Sequence, residues 1–402
     1  SKINALLKMF PAVAILGPRQ CGKTTLAQQL RPDWMYVDLE KPSDFNRIIS
    51  DPEFFLQQNE QNVIIDEAQK APQLFNVLRG VIDQNRTQKG RFILTGSSSP
   101  ALLKSISESL AGRIATIELG TLKCNELHAK PLSRFYKLFE KKLDKVFFKS
   151  LGSAKLNTKQ LQKSWFKGGY PEPVLSKQKN FYAQWMQNYE QNYIYRDVAA
   201  LFPKLNKVTY QRFLTMLCKL SGTILNKKQL AHALETSDSS VQEFLRIATG
   251  TFIWRQQHVY SKSVSKSILK MPKGHVRDSG LLHSLLRIHD ISDLYNDPII
   301  GSSFESFVIE EISKGLNATM TTNWDTFYYR TRSNAEVDLI IEGPFGVLPI
   351  EIKYGLNTSA DKLKHLEKFI KDNQLEFGLL INQAKDAHWL SRHVFQLPAT
   401  YL

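Results

Sequence analysis

The octapeptide Gly17-Pro18-Arg19-Gln20-Cys21-Gly22-Lys23-Thr24 constrains this chain more than any other stretch. It follows the apolar run Val13-Ala14-Ile15-Leu16 and precedes a helix-like segment, Thr25 to Leu30. This is the G-x-x-x-x-G-K-[ST] pattern in the strand–loop–helix context that gives it meaning. Its two glycines let the backbone curl so that successive N–H groups and the positive end of a helix surround a polyphosphate. The pattern therefore predicts a nucleoside triphosphate cradled by Gly17, Pro18, Arg19, Gln20, Cys21, Gly22, Lys23, Thr24 and Thr25. Lys23 is expected on the β- and γ-phosphates, and the Thr24 hydroxyl on Mg²⁺.

About forty residues on, Asn62-Val-Ile-Ile-Asp66-Glu67-Ala68 reads as a buried parallel strand ending in two adjacent carboxylates. Asp66 is the expected holder of Mg²⁺, through water, and Glu67 the expected general base that polarises the attacking water. Either signal alone could be an ordinary loop or a solvated strand end. Together they predict a hydrolysable nucleoside triphosphate as substrate and Mg²⁺ as cofactor.

Residues 11–120 alternate strands and helices, with strands expected at 13–16, 35–39, 63–66, 91–95 and 114–119 and helices at 74–84 and 100–110. The fold class is α/β: a doubly wound parallel sheet whose ligand lies at the strand C-terminal ends. A chain of 402 residues is too long for one core. Residues 1–120 are expected to form the ATPase core, 121–204 a basic helical lid or linker, 205–295 a winged helix–turn–helix and 296–402 a further α/β domain. In the lid, residues 168–173 are too rich in glycine and proline to read as helix. The winged helix rests on helices at 210–220, 227–234 and 239–249, the last a recognition-helix candidate. A basic wing would span 252–260 and 267–276, joined by 261–266.

The net charge of +15 is unevenly placed: +2 over residues 1–120, +10 over 121–180, −1 over 181–200, +9 over 201–280 and −5 over 281–402. Such a basic middle implies a polyanion partner, nucleic acid before acidic protein, with a lysine-rich solubilising surface as the plain alternative. DNA is expected along residues 121–280, held by its backbone, and branched or single-stranded forms are included. No apolar run approaches the roughly 20 residues of a membrane span, so no membrane partner is expected. The start is short and polar for a signal peptide. Cys21, Cys124 and Cys218 fit no metal spacing, and a cytoplasmic location is expected.

Several segments resemble a known family. The phosphate loop, Ile64-Ile65-Asp66-Glu67-Ala68-Gln69 and Phe92-Ile-Leu-Thr-Gly-Ser97 look like an AAA+ type ATPase domain of the AAA_14 type. Gly168-Gly169-Tyr170-Pro171-Glu172, Tyr195-Arg196-Asp197, Lys270-Met-Pro-Lys273, Arg277-Asp-Ser-Gly-Leu281 and Ala335-Glu-Val-Asp338 extend the likeness to nearly the whole chain. The match is to prokaryotic ATPases with a C-terminal winged-helix and restriction-endonuclease-like (DUF4143) region. Only about the first ten residues depart from it, and the likeness implies a longer N-terminal segment ahead of them.

The resemblance implies that Thr95, or Ser97 just beyond it, senses the γ-phosphate. It places Arg113 where an arginine finger would act on a neighbouring subunit's nucleotide, implying a homo-oligomeric ring, a hexamer. An ordinary intrachain ion pair is the alternative for Arg113. The Gly-Gly-Tyr-Pro stretch looks like the nucleotide-proximal turn of a lid, and Arg196 is a second sensor candidate.

Asp338, then Glu351-Ile352-Lys353, with Glu305 or Glu310 on the preceding helix, resembles a PD-(D/E)xK nuclease core. Glu351 and Lys353, two apart, project from one face of a strand. Glu305, Asp338 and Glu351 would hold Mg²⁺, and Lys353 would orient or deprotonate a water. A non-cleaving structural or DNA-end-sensing module stays open beside active cleavage. The reading is an oligomeric Mg²⁺-dependent ATP hydrolase that couples turnover to binding, remodelling or translocation of DNA. An ATP-regulated Mg²⁺-dependent DNA nuclease is one alternative, and a nucleotide-dependent protein-binding switch or scaffold another.

Overall fold

The computed structural model of the chain describes residues 1–97, 106, 108–198, 202, 205–261, 271–331, 335–356 and 360–402. They form two compact units: Ser1–Thr121 with Gly250–Phe252, and Leu122–Thr249 with Ile253–Leu402. Among the described residues, no helix is long and apolar enough to cross a membrane.

The first unit is built on five parallel strands: β1 (Ala12–Gly17), β2 (Met35–Asp38), β3 (Val63–Asp66), β4 (Phe92–Ser97) and β5 (Ile114–Glu118), ordered β2-β3-β4-β1-β5. The apolar run of β1 shows why the sheet is covered on both faces. Ala12, Ala14 and Leu16 enter one core with Phe75, Leu78 and Ile82 of the helix Leu74–Gln84. Val13 and Ile15 enter the opposite core with Ile3, Leu7 and Ala27. A strand buried on both sides has no polar alternation, so its sequence reads as a continuous hydrophobic run. Because all five strands are parallel, their C-terminal ends share one edge of the sheet. The expected α/β parallel sheet is observed, with each strand within two residues of its expected bounds. The helix expected at 100–110 lies largely outside the described residues.

In the second unit a single sheet of nine strands runs through two of the parts that the sequence kept separate, 205–295 and 296–402. The strands are β6 (Thr223–Ile224), β7 (Trp254–Val259), β8 (Lys273–Val276), β9 (Asp325–Arg330), β10 (Glu336–Gly343), β11 (Gly346–Ile352), β12 (Gly378–Asn382), β13 (His388–Trp389) and β14 (Val394–Pro398). Their order is β13-β14-β12-β11-β10-β9-β7-β8-β6. The join is the parallel pair β7–β9, His258 opposite Phe327 and Val259 opposite Tyr328. Left apart, β7 and β9 would each present an open edge of unpaired backbone groups. A boundary at 295/296 therefore marks a change along the chain and not a break in the sheet.

Three helices, Lys207–Lys219, Lys227–Ala233 and Asp238–Gly250, precede β7. Asn206 and Asn226 cap the first two, each accepting a backbone N–H from the first turn. Residues 262–270, which take in the start of the expected segment 267–276 and all of the expected wing loop but Ser261, lie outside the described residues. One expectation is corrected: the stretch 168–173 is not wholly non-helical, because a short helix, Pro171–Leu175, starts within it. Proline is tolerated at a first helical position, where its missing N–H has no partner to lose.

The two glycines before that helix are sites of close approach. A Cβ on Gly168 would lie 2.1 Å from Asp278 Oδ1, and one on Gly280 2.1 Å from Lys167 O. The Gly169 N–H donates to Asp278 Oδ2 at 2.9 Å. Two motifs more than a hundred residues apart therefore pack backbone to backbone. Beside them runs a buried polar chain. Trp165 Nε1 donates to Ser303 Oγ (3.0 Å), and that hydroxyl lies 2.7 Å from His283 Nε2. His283 Nδ1 lies 2.9 Å from Phe166 O. A carbonyl only accepts, so Nδ1 carries the hydrogen and Nε2 accepts from Ser303.

Burial pushes the His283 imidazole down to about 4, against the smaller opposing effect of the Phe166 carbonyl. A depressed imidazole pKa means that the unfolded chain binds the extra proton between about pH 4 and 6.5, so stability rises with pH across that window. The second unit is expected to lose about 3 kcal/mol between pH 6.5 and pH 4 from this residue. Denaturant midpoints followed by tryptophan fluorescence in wild type and His283→Gln should differ by that slope across the window, other titrating groups cancelling in the difference.

Candidate nucleotide site and carboxylate cluster

β1 delivers the chain into the loop at Gly17, and the helix Lys23–Leu30 leaves it. A Cβ at Gly17 would sit 2.1 Å from Leu119 O, so only glycine passes there. Gln20 (φ 61°) and Gly22 (φ 96°) are both left-handed, which folds the loop into a concavity. Lys23 is buried at the loop's centre, its Nζ donating to Pro18 O at 2.8 Å and Gly17 O at 3.3 Å. Cys21 is buried beneath the loop, with Sγ 3.6 Å from Leu119 O. Arg19 lies 3.9 Å from Glu40, both partly exposed. Thr25 is exposed on the helix.

The second half of the site is gathered by Asp66, which is only 5 % exposed at the end of β3. Its Oδ2 accepts from Thr24 Oγ1 (2.8 Å) and from Tyr36 OH (2.7 Å). Its Oδ1 accepts from Thr95 Oγ1 and from the Glu67 N–H at 3.2 Å. β2 and β4 flank β3 in parallel, so Tyr36 and Thr95 reach the same edge as Asp66. The structure thus brings Lys23, Thr24, Asp66 and Thr95 into one constellation. Glu67 follows in a left-handed conformation (φ 53°), and its carboxylate accepts from Gln69 Nε2.

The donor set suits a magnesium nucleotide. Hard oxygen ligands, a hydroxyl and a carboxylate, adjoin a lysine and a helix N-terminus. Tyr36 was missed in the sequence because a tyrosine in a strand is an ordinary β-former. Only the β2–β3 register, Tyr36 opposite Ile64, reveals it. Burial, then the hydrogen bond to Asp66, raises the Tyr36 phenol well above its usual value.

Arg113 is bound within its own chain. Its Nε and Nη2 each donate at 2.7 Å to the two carboxylate oxygens of Asp83. It precedes β5, and Ala12 at the start of β1 donates to its carbonyl, so it sits at the end of the sheet opposite the loop. The Ser97 and Arg196 side chains lie outside the described residues.

In the second unit, β10 and β11 are antiparallel, with Leu339 opposite Ile350. This register brings Asp338 and Glu351 together. Lys353 Nζ lies 2.6 Å from Glu351 Oε1 and 3.3 Å from Asp338 Oδ2. The Ile352 N–H also donates to Asp338 Oδ2, at 2.8 Å. The third expected carboxylate is Glu305, on the helix Ile300–Ala318, and it is paired with Lys273 at 2.7 Å. Lys273 also lies 2.9 Å from Glu336.

Burial pushes Glu351 up to about 8, with Asp338 adding to the rise. Burial likewise pushes Glu305 up to about 7, Lys273 opposing and Asp338 adding. Glu310, the other candidate on that helix, is engaged elsewhere by Arg255 (2.5 Å), His275 (2.9 Å) and Arg277 (3.4 Å). Among the described residues no three His, Cys, Asp or Glu converge to hold a metal ion. Of the expected Glu305–Asp338–Glu351 magnesium set, Asp338 and Glu351 are brought together and share Lys353, while Glu305 pairs with Lys273. Lys273 and Glu336 were missed as members, though both stand in quoted motifs, because nothing in sequence joins strands 60 residues apart.

Tyr36→Phe removes one hydrogen bond to a charged acceptor. It is expected to lower the stability of the first unit by about 1.5–3 kcal/mol at neutral pH, read by denaturant unfolding. An unchanged midpoint would show that the contact carries no net energy.

A family model described as an AAA domain (AAA_14) matches residues 9–128, and two domains of unknown function follow, DUF8612 over 158–292 and DUF4143 over 300–402. The uncharacterized protein Mb2031c of Mycobacterium bovis is 30 % identical over 406 residues, covering 99 % of this chain and 82 % of its own. The uncharacterized protein MJ1544 of Methanocaldococcus jannaschii is 24 % identical over 393 residues, covering 92 % and 81 %. Among solved structures, a Walker-type ATPase of Pyrococcus abyssi superposes with a TM-score of 0.45 at 14 % identity, covering 71 % of this chain and 93 % of that one. That superposition is too loose to bear on function. The chain belongs to the family of Mb2031c, and it carries a P-loop ATPase domain of the AAA_14 type followed by DUF8612 and DUF4143 regions.

Proposed function

We propose that this protein hydrolyses ATP with Mg²⁺, assembles into an oligomer, and couples turnover to binding and remodelling of, or movement along, DNA. The observation that carries the reading is the convergence of Thr24 and Thr95 on Asp66, one strand away from a loop that encloses Lys23. The loop's backbone N–H groups and Lys23 would bind the triphosphate. Thr24 and Asp66 would hold the magnesium, which supplies charge neutralisation on the phosphates. Glu67 would orient and deprotonate the attacking water, leaving its bond to Gln69 to do so. Thr95, bonded to Asp66, would relay the presence of the terminal phosphate to β4.

Arg113 enters this reading only from a neighbouring subunit, because its own loop lies at the other end of the sheet. Its bond to Asp83 then holds the guanidinium in a fixed orientation at the surface. The DNA component rests on charge and exposure. Lys137, Lys141, Lys142, Lys149, Lys155, Lys159 and Lys163 are all exposed in the segment that carries a +10 balance. Such a run suits a phosphate backbone and reads no base sequence.

Steady-state ATP hydrolysis with Mg²⁺, alone and with single-stranded, duplex and branched DNA, tests the whole. Lys23→Ala should abolish nucleotide binding. Glu67→Gln should retain binding and lose turnover by at least about a hundredfold. Stimulation by one DNA form that fades steeply with salt would support the DNA component, and indifference to every form would favour a protein partner.

Arg113→Ala alone should be inactive, with activity partly restored on mixing with Lys23→Ala, since some mixed interfaces then hold one intact site. Full activity of Arg113→Ala would leave that residue only its intrachain role.

A further inference from the structure

Lys273 belongs to a motif that the nucleotide site does not use, and its surroundings are unusual for a lysine. It opens β8, opposite Ile224 of β6 and Gln257 of β7, and is 3 % exposed. Its ammonium lies between two carboxylates from different elements, Glu305 of the helix Ile300–Ala318 and Glu336 of β10, at 2.7 and 2.9 Å. A buried ammonium persists only where opposite charge repays its lost hydration.

The carboxylates beside it would make a divalent-cation site if they were free. Asp338 and Glu351 share Lys353, while Glu351 Oε2 is buried with no hydrogen-bond partner. Glu351 is itself only 5 % exposed. The cluster is therefore supplied with two ammonium groups and still leaves one buried carboxylate oxygen unmet. With Lys273 in place, Glu305 is withdrawn from the set that a metal would need.

We propose that Lys273 is the resident cation of this cluster, and that while it sits between Glu305 and Glu336 the cluster binds no divalent metal. Two physical effects favour the lysine over a dissolved ion. Tethered by the β6–β8–β7 pairing, it competes at the effective concentration of an intramolecular partner. Magnesium also gives up its water reluctantly and favours octahedral oxygen coordination, which two carboxylates already bound to Lys353 do not supply. Lys273 comes from β8, outside the C-terminal residues 300–402, so the ion pairs also clasp the β6–β8–β7 strands to the rest of the sheet. The nuclease-like carboxylates would then act in holding that sheet together and not in metal-dependent cleavage. This proposal is independent of the ATPase reading, because the cluster lies in the other unit and its test uses no nucleotide.

The test is a Mn²⁺ titration of the nucleotide-free full chain, with free Mn²⁺ read by electron paramagnetic resonance up to about 1 mM. Wild type and Asp338→Asn are expected to bind the same number of ions. Lys273→Met is expected to bind one more, and Lys273→Met/Asp338→Asn to lose it again. An Asp338-dependent ion in wild type would overturn the proposal whatever the variants do. A folded Lys273→Met that gains no ion would overturn it as well. If Lys273→Met does not fold, Lys273→Gln with Glu336→Gln removes the ammonium at balanced charge. That variant is expected to gain the same Asp338-dependent ion, and its failure to do so would equally count against the proposal.

Discussion

Three glutamates on one buried helix are the constraint around which the second unit is arranged. Glu305, Glu310 and Glu311 lie on Ile300–Ala318, and each meets at least one cation brought from a distant part of the chain. Glu305 takes Lys273. Glu310 takes Arg255 and Arg277, and also lies 2.9 Å from His275, whose imidazole burial holds below its usual pKa. Glu311 takes Lys123 and Lys314 and accepts the Cys124 N–H. Burial alone would raise all three carboxyls. At Glu310, Arg255 and Arg277 reverse that and hold it well below the carboxylate range, and at Glu311 the two lysines bring it to about 2. Glu305, with a single lysine and acidic neighbours, stays raised.

Pairs of this kind contribute little net stability compared with an apolar core, but losing one partner strands a buried charge at a cost of about 3–5 kcal/mol. Their effect is to select one arrangement. β7 and β8 must lie where Arg255, Lys273, His275 and Arg277 reach the helix. The segment at 123–124 must lie where Lys123 does. The continuous sheet β9–β7–β8 is the backbone expression of the same requirement. It also accounts for why the Lys-Met-Pro-Lys and Arg-Asp-Ser-Gly motifs flank a strand of only four residues. One supplies Lys273, and the other supplies Arg277 with the Asp278 that receives Gly169.

The first unit has a comparable hub in Asp66, with a different consequence. Its carboxylate accepts from Thr24, Tyr36, Thr95 and the next backbone N–H, so side chains from β2, β4 and the loop helix share one anion. A parallel sheet makes this possible by placing the ends of adjacent strands side by side. Any change in how Asp66 is engaged is then felt by three elements at once, which is the property a nucleotide-responsive domain needs.

The sequence alone pointed to the parallel sheet of the first unit, the phosphate loop and the placing of Lys23, Thr24 and Asp66 at one strand edge, and the family resemblance added Thr95. Those signals are local: an apolar run, glycines at set spacing and a carboxylate at a strand end each act through near neighbours. Tyr36, the Arg113–Asp83 pair, the β7–β9 join and the placing of Lys273 among Glu305, Glu336 and Asp338 were decided only by tertiary structure. Each depends on strand register or on charges meeting across tens to hundreds of residues, and burial then sets their strength. A glutamate's letter is the same whatever its partner, and only the packed structure brings Lys273 to Glu305.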